Sequence, residues 1–196
     1  MTPERKEKLS YVLDHRQGDV VVVMENVEDP RNITAVMRSC DGVGIQNVHI
    51  ISTSVKRPKK WSYYSGKSAE KWISLHHHNS VAGCMNMLKE QGFTILTTRL
   101  SDEAKDLYEL DLTQKIALVF GNESIGISEE LHSMADGNFL IPQVGMLQSL
   151  NISVACAISI YEVFRQKRLA GHYDQAALPQ VQMAQLMEQW KLSESD

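Results

Sequence analysis

Five consecutive residues, Val20-Val21-Val22-Val23-Met24, constrain this chain more than any other feature. Side chains of a strand alternate between two faces, so a run that is apolar at every position must be covered on both sides. That is the signature of a buried strand of parallel type, and parallel neighbours need long crossovers, usually helices. Val48-His49-Ile50-Ile51, Phe93-Thr94-Ile95-Leu96-Thr97 and Ile116-Ala117-Leu118-Val119-Phe120 repeat the pattern, and Phe139-Leu140-Ile141 is a last short strand. Helical segments fall between them. Ile33, Val36, Met37 and Cys40 mark one after Asp29-Pro30; Ser80 to Gln91 is stopped by Gly92; Ser128-Glu129-Glu130 opens another; and Ser149 to about Ala170 is the longest. Strands alternating with helices predict an α/β fold with a mainly parallel sheet flanked by helices.

Both ends carry further helices. Thr2-Pro3-Glu4 is a helix start, with a hydroxyl cap, proline at the first position and an acid at the positive dipole end. Leu9, Val12 and Leu13 continue that helix, and Val181, Met183, Leu186, Met187 and Trp190 form an amphipathic one near the other end. The expected organisation is an N-terminal helical extension over 1–18, a main domain over 19–170 and a C-terminal helical extension over 171–196. At 196 residues such a chain buries a sizeable core without staples. Its three cysteines, Cys40, Cys84 and Cys156, form no C-x-x-C pair, which fits free thiols in a reducing, cytoplasmic setting and argues against a zinc site. His76-His77-His78 are consecutive, read as surface histidines, and no metal is expected. No apolar run approaches the roughly 20 residues of a membrane span, so no membrane partner is expected.

In a parallel sheet, ligands bind in the loops beyond the carboxyl ends of strands. Three such loops stand out. After Met24, Asn32-Ile33-Thr34-Ala35-Val36-Met37-Arg38 places a natural N-cap and, six residues on, a guanidinium able to fork onto a phosphate. A capped helix with a solvated arginine is the simpler account of that pattern alone. After Phe120, Gly121-Asn122-Glu123-Ser124-Ile125-Gly126 brackets an acid between two glycines, which let the backbone pass close to a ligand. After Ile141, Pro142 and Gly145 stiffen a turn, and Ser149, Asn151 and Ser153 then open a helix. A cap needs one such residue; three within five positions favour a polar pocket floor. The formal charge is −4, so any RNA contact depends on local patches. From 56 to 72 six cations face only Glu70, and Lys59 and Lys60 sit beside Trp61, Tyr63 and Tyr64. Lysines among aromatics suit phosphate contact with base stacking, and equally suit a solvated loop.

In this order, N-x-x-A-x-x-R, G-x-E-x-x-G and I-P-x-x-G-x-x-x-S-L-N-x-S-V-A resemble the three motifs of the SPOUT class of S-adenosylmethionine-dependent RNA methyltransferases, in its 2′-O-ribose branch. Arg16-Gln17, Met24-Glu25-Asn26-Val27, Cys40-Asp41-Gly42-Val43-Gly44 and Tyr161-Glu162, with the helical ends, resemble the members that methylate guanosine 18 of tRNA.

The resemblance implies a C-terminal trefoil knot, a homodimer with the active site near its interface, and S-adenosyl-L-methionine held by the knot loops. Backbone groups around Thr97, Gly121, Ile141 and Leu150 would hold this cofactor. Arg38, Asn32, Glu123, Ser149 and Asn151 would form the reaction site. The terminal helices would carry Arg5, Lys6, Lys8, Arg16, Arg165 and Arg168 toward tRNA phosphates, with Lys59 and Lys60 from the basic loop. The alternatives are a ribosomal RNA substrate, or a non-catalytic RNA-binding protein on the same scaffold.

Overall fold

The computed structural model describes residues 1–55, 69–99, 101, 103–122, 124–147 and 149–192. Seven strands form one sheet: β1 (Gln17–Glu25), β2 (Ile45–Ile51), β3 (Ser74–His78), β4 (Thr94–Thr98), β5 (Lys105–Asp106), β6 (Ile116–Phe120) and β7 (Gly137–Leu140). Their order is β3-β2-β1-β6-β4-β7-β5, and every pairing is parallel. Six helices accompany them: α1 (Pro3–Asp14), α2 (Pro30–Gly42), α3 (Val81–Glu90), α4 (Glu129–Met134), α5 (Ile152–Leu169) and α6 (Gln180–Gln189).

The valine run sits second to none in burial because both sheet faces are covered. Val20, Val22 and Met24 join one core with α2 and α5, while Val21 and Val23 join a second core with α3 and α4. The partner strand β6 divides in the same way, with Ile116, Leu118 and Phe120 on the first face and Ala117 and Val119 on the other. Burial of each such side chain contributes about 1.5–3 kcal/mol, so this central pair anchors the sheet.

A third cluster, Leu9, Leu13, Leu178, Leu186, Trp190 and Leu192, joins α1 to α6. It packs at the amino-terminal end of the strands. Trp72, just before β3, meets Trp190 edge-on with ring centroids 5.4 Å apart, and Gln182 of α6 donates to Asn47 Oδ1 early in β2. Buried polar groups fasten this end. The Arg16 side chain is 0% exposed; Nη2 lies 2.5 Å from Asp41 Oδ1 and the guanidinium stacks on the Trp190 ring. An RNA contact for Arg16 is thereby corrected: α1 ends at Asp14, and the next turn directs Arg16 inward to a carboxylate instead of outward. Lys167, also fully buried, donates to Asp19 Oδ2 and to the Thr113 carbonyl, each at 2.7 Å.

Three further details differ from the sequence reading. The helix after β1 is capped by Asp29, whose carboxylate accepts from Arg31 N at 2.9 Å, with Pro30 at the first position. Asn32 is therefore inside the first turn, and its side chain accepts from Asn151 Nδ2 instead of capping the helix. Residues 74–78, which the sequence left without an element, are an edge strand, and β5 is a two-residue strand in the acidic stretch.

Removing the carboxylate opposite Lys167 strands a buried ammonium, whereas removing the lysine leaves a partly exposed carboxylate that water can solvate. Asp19→Ala is expected to lower unfolding free energy by about 3 kcal/mol, and Lys167→Met by less than half as much. Urea denaturation of both variants checks the order.

Candidate active site

The carboxyl ends of β1, β4, β6 and β7 converge, and the loops that follow them are tied together by side-chain to backbone bonds. Glu25, the last residue of β1, is 1% exposed, and its carboxylate accepts from the Ser128 amide at 2.9 Å and the Ser128 hydroxyl at 2.5 Å. Ser128 is also the cap of α4, accepting from Leu131 N. Asn26 follows with φ +52°, a left-handed conformation that asparagine tolerates. Its Oδ1 accepts from Thr53 N and Ser54 N, and its own carbonyl accepts from Asn122 Nδ2 at 2.8 Å. Asn122 in turn accepts from Ser124 N and Ile125 N, closing the glycine loop on itself. In that loop a Cβ on Gly121 would stand 2.3 Å from the Gly126 carbonyl group, so only glycine fits.

These turns enclose a cavity of about 790 Å³, within the range of small-molecule sites. Gly121, Ile141, Ser149, Leu150 and Asn151 line it, together with Phe120 and Phe139. Thr97 does not: its hydroxyl is buried and donates to the Gly137 carbonyl at 3.3 Å, and the wall is formed by the next residues, Thr98 and Arg99. Strand alternation explains the shift, since Thr97 faces away from the mouth.

Arg99 is the residue the sequence reading missed. Its Nη2 pairs with Glu129 Oε1 at 2.6 Å, while Nη1 is buried without a hydrogen-bond partner among the described residues. A cationic donor on a cavity wall is ready for an anionic or polar ligand group. Its only sequence signal is a cation directly after a strand end.

Asn151 caps α5, accepting from Ser153 N and the Ser153 hydroxyl, and its Nδ2 donates to Asn32 Oδ1 at 3.2 Å. The first and third motifs thus touch at the cavity mouth. Arg38 stands apart. It is exposed, outside the cavity lining, and six residues beyond Asn32, about 9 Å further along the α2 axis. Glu123, Lys59 and Lys60 lie outside the described residues. Arg5, Lys6, Lys8, Arg165 and Arg168 are exposed, Arg165 while holding Glu162 at 2.7 Å. That bond keeps the Glu162 carboxyl below its ordinary value.

A parallel sheet whose second and third motif loops line one cavity, with the first bonded to it through Asn32, goes with a matching family model: the chain belongs to the SpoU rRNA Methylase family, whose model matches residues 19–161. It is 39% identical over 189 residues to a tRNA (guanosine(18)-2'-O)-methyltransferase of Thermus thermophilus, covering 96% of each chain. The enzyme of that name from Escherichia coli K12 is 36% identical, with 95% of this chain and 82% of that one covered. The crystal structure of the A. aeolicus TrmH/SpoU tRNA modifying enzyme superposes with a TM-score of 0.86 and 32% identity over 98% of both chains.

Adding one methyl group to Gly121 forces the two crossing arms of its loop apart. Gly121→Ala is expected to destabilise the protein by roughly 2–3 kcal/mol and to speed amide exchange in residues 121–127. Hydrogen exchange followed by mass spectrometry reads both effects.

Proposed function

We propose that this protein transfers a methyl group from S-adenosyl-L-methionine to the ribose 2′-hydroxyl of guanosine 18 in tRNA. The observation that carries this reading is one cavity lined by the second and third motif loops, with Asn32 of the first motif bonded to Asn151 on its wall. Near-full-length similarity to enzymes of that name supports the substrate. A ribosomal RNA substrate and a non-catalytic role have less in their favour.

The cavity suits the cofactor. It has room for a nucleoside-sized ligand, backbone edges at Thr98, Gly121, Ile141 and Leu150 for hydrogen bonds, and a spare Arg99 donor for a carboxylate. When bound there, the cofactor supplies a methyl group on a positively charged sulfur, already electrophilic. The chain's own residues must therefore align the hydroxyl in line with it and stabilise the oxygen as its proton leaves. Asn32 and Asn151 orient the ribose, and Ser149 and Leu150 form the floor. Glu123 belongs to the same set by its motif.

Arg38 is assigned the electrostatic role. A guanidinium in general keeps its proton, so it serves better as a clamp on an RNA phosphate and a partner for the developing alkoxide than as a base. The proton then leaves through phosphate or water. Because Arg38 lies off its own chain's cavity, it acts on a ribose held against a second copy. Exposed Val144, Met146 and Leu147 on the third loop, and Val154 and Tyr161 on one stripe of α5, support a homodimer. The third loop is also where a trefoil knot is proposed, with residues 141–151 tucked beside the glycine loop. Among the described residues no helix is long and apolar enough to cross a membrane, which accords with a cytoplasmic enzyme.

The terminal helices sit at the far end of the sheet from the cavity, a strand length of about 30 Å for nine residues. A tRNA is long enough to reach both. Arg5, Lys6, Lys8, Arg165 and Arg168 are its proposed phosphate contacts, together with Lys59 and Lys60 of the basic loop.

With methyl-labelled cofactor, a tRNA transcript is expected to take up label, and one carrying 2′-deoxyguanosine at position 18 to take up none; equal label in both defeats the assignment. Arg38→Ala is expected to lower turnover by about 10²–10³-fold while calorimetry shows unchanged cofactor affinity. Replacing Arg5, Lys6 and Lys8 together by alanine should weaken tRNA binding and flatten its dependence on salt by roughly one unit of log–log slope per lost contact, measured by filter binding.

A further inference from the structure

At the edge of the sheet away from the active site, three side chains from different elements meet. His49 on β2 and His78 at the end of β3 point to the same face, where α3 lays Cys84 over them. The His49 Nδ1 and His78 Nε2 atoms are 3.0 Å apart with their rings stacked at 5.2 Å between centroids. One ligand atom from each of His49, His78 and Cys84 lies within 4.8 Å of the other two. His49 is 5% exposed and Cys84 0%, while His78 is half-buried and opens the group to solvent.

We propose that His49, His78 and Cys84 form a structural zinc site that staples the edge strand β3 to β2 and α3. Around a tetrahedral Zn²⁺, bond lengths near 2.0–2.3 Å put nitrogen and sulfur donors about 3.3–3.6 Å apart. The His49–His78 nitrogens, 3.0 Å apart, are slightly closer than that, and the Cys84 sulfur lies within 4.8 Å of both, so the donors are gathered at near-ligand distances. The site is empty of carboxylates, and two imidazoles with one thiolate select a borderline-soft ion over Mg²⁺ or Ca²⁺. A fourth position beside His78 remains for water.

Imidazole nitrogen and thiolate sulfur are donor types that Zn²⁺ takes, and the three come from three different elements packed against one another. Binding forms two metal–nitrogen bonds and one metal–sulfur bond. The thiol proton goes to solvent, and each imidazole keeps its one proton on the nitrogen turned away from the ion. His76 supplies the support around the site: it stacks on His49 at 4.6 Å and its Nε2 bonds Asn47 Oδ1 at 3.0 Å, which fixes its ring.

The sequence offered no hint of this group, because its members are 29 and 35 residues apart from His49 and only the parallel register of β2 on β3 brings them together. None of the three lines the active-site cavity.

Chelator-treated full-length protein is titrated with Zn²⁺ against a chromophoric competitor, and separately with Co²⁺. One ion per chain, a rise in melting temperature and a thiolate-to-cobalt charge-transfer band are expected. Cys84→Ser should abolish the band, and His78→Gln, at a half-buried position that tolerates change, should weaken Zn²⁺ binding at least about 10-fold. Absence of stoichiometric uptake overturns the proposal, as does uptake that His78→Gln leaves unchanged. Should Cys84→Ser fail to fold by circular dichroism, the His78→Gln titration alone decides.

Discussion

Everything in this molecule hangs on the parallel pairing of β1 with β6. Val20 to Met24 lie against Ile116 to Phe120 in unbroken register, and every one of these ten residues is almost fully buried. Parallel neighbours cannot be joined by tight turns, so the chain must cross a face of the sheet and return to the same end, as α2, α3 and α4 do between successive strands. That puts all the amino ends together and all the exits together. The cavity is a consequence of this constraint, formed where the exits of the neighbouring strands β6, β4 and β7 have no sheet left to cover them.

Exits alone would splay. What gathers them is a chain of bonds that starts inside β1 itself: Glu25 to Ser128, Asn26 to Thr53 and Ser54, and Asn122 back to the Asn26 carbonyl. A buried carboxylate and a left-handed asparagine are costly in a strand that is otherwise pure hydrocarbon. Here each finds two or more partners, so the cost is offset and three loops acquire one fixed geometry. Preorganisation of this kind is what methyl transfer needs, because the chemistry asks for alignment within fractions of an ångström and little else.

The parts of the fold legible in the sequence are those where one local property decides. A run apolar on both faces admits one environment, and Thr2-Pro3 or Ser128-Glu129 admit one kind of helix start. The edge strand β3 escaped because Ser74 to His78 is neither alternating nor apolar, and an edge needs no such pattern when one side is half open. Asn32 looked like a cap, yet Asp29 before a proline is better placed for it, and the asparagine is released to meet Asn151. Arg16 looked like a surface cation; only the arrival of Asp41 and Trp190 from distant positions makes its burial affordable. Motif residues at Gly121, Ile141, Ser149, Leu150 and Asn151 were legible as a group through their order along the chain. Arg99 carried no motif, and its role appears only when β4 is placed beside β6.

The two ends of the sheet have different tasks, and their polar chemistry differs accordingly. At the amino end, the buried charges of Arg16 and Lys167 are each matched by a carboxylate, Asp41 and Asp19, and Arg16 packs on Trp190 beside the terminal helices. At the carboxyl end, polar groups are left with unused capacity: a spare Arg99 nitrogen, an Asn32–Asn151 pair at the mouth, and a third loop whose Val144, Met146 and Leu147 are bare. A lone chain gains nothing from leaving large apolar side chains in water beside a polar cavity. Covering them with the same loop of a second copy would shield that cavity from solvent and bring Arg38 of one chain toward the ribose held by the other. On the proposed dimer, the position of Arg38 off its own cavity and the exposure of the third loop would have one cause.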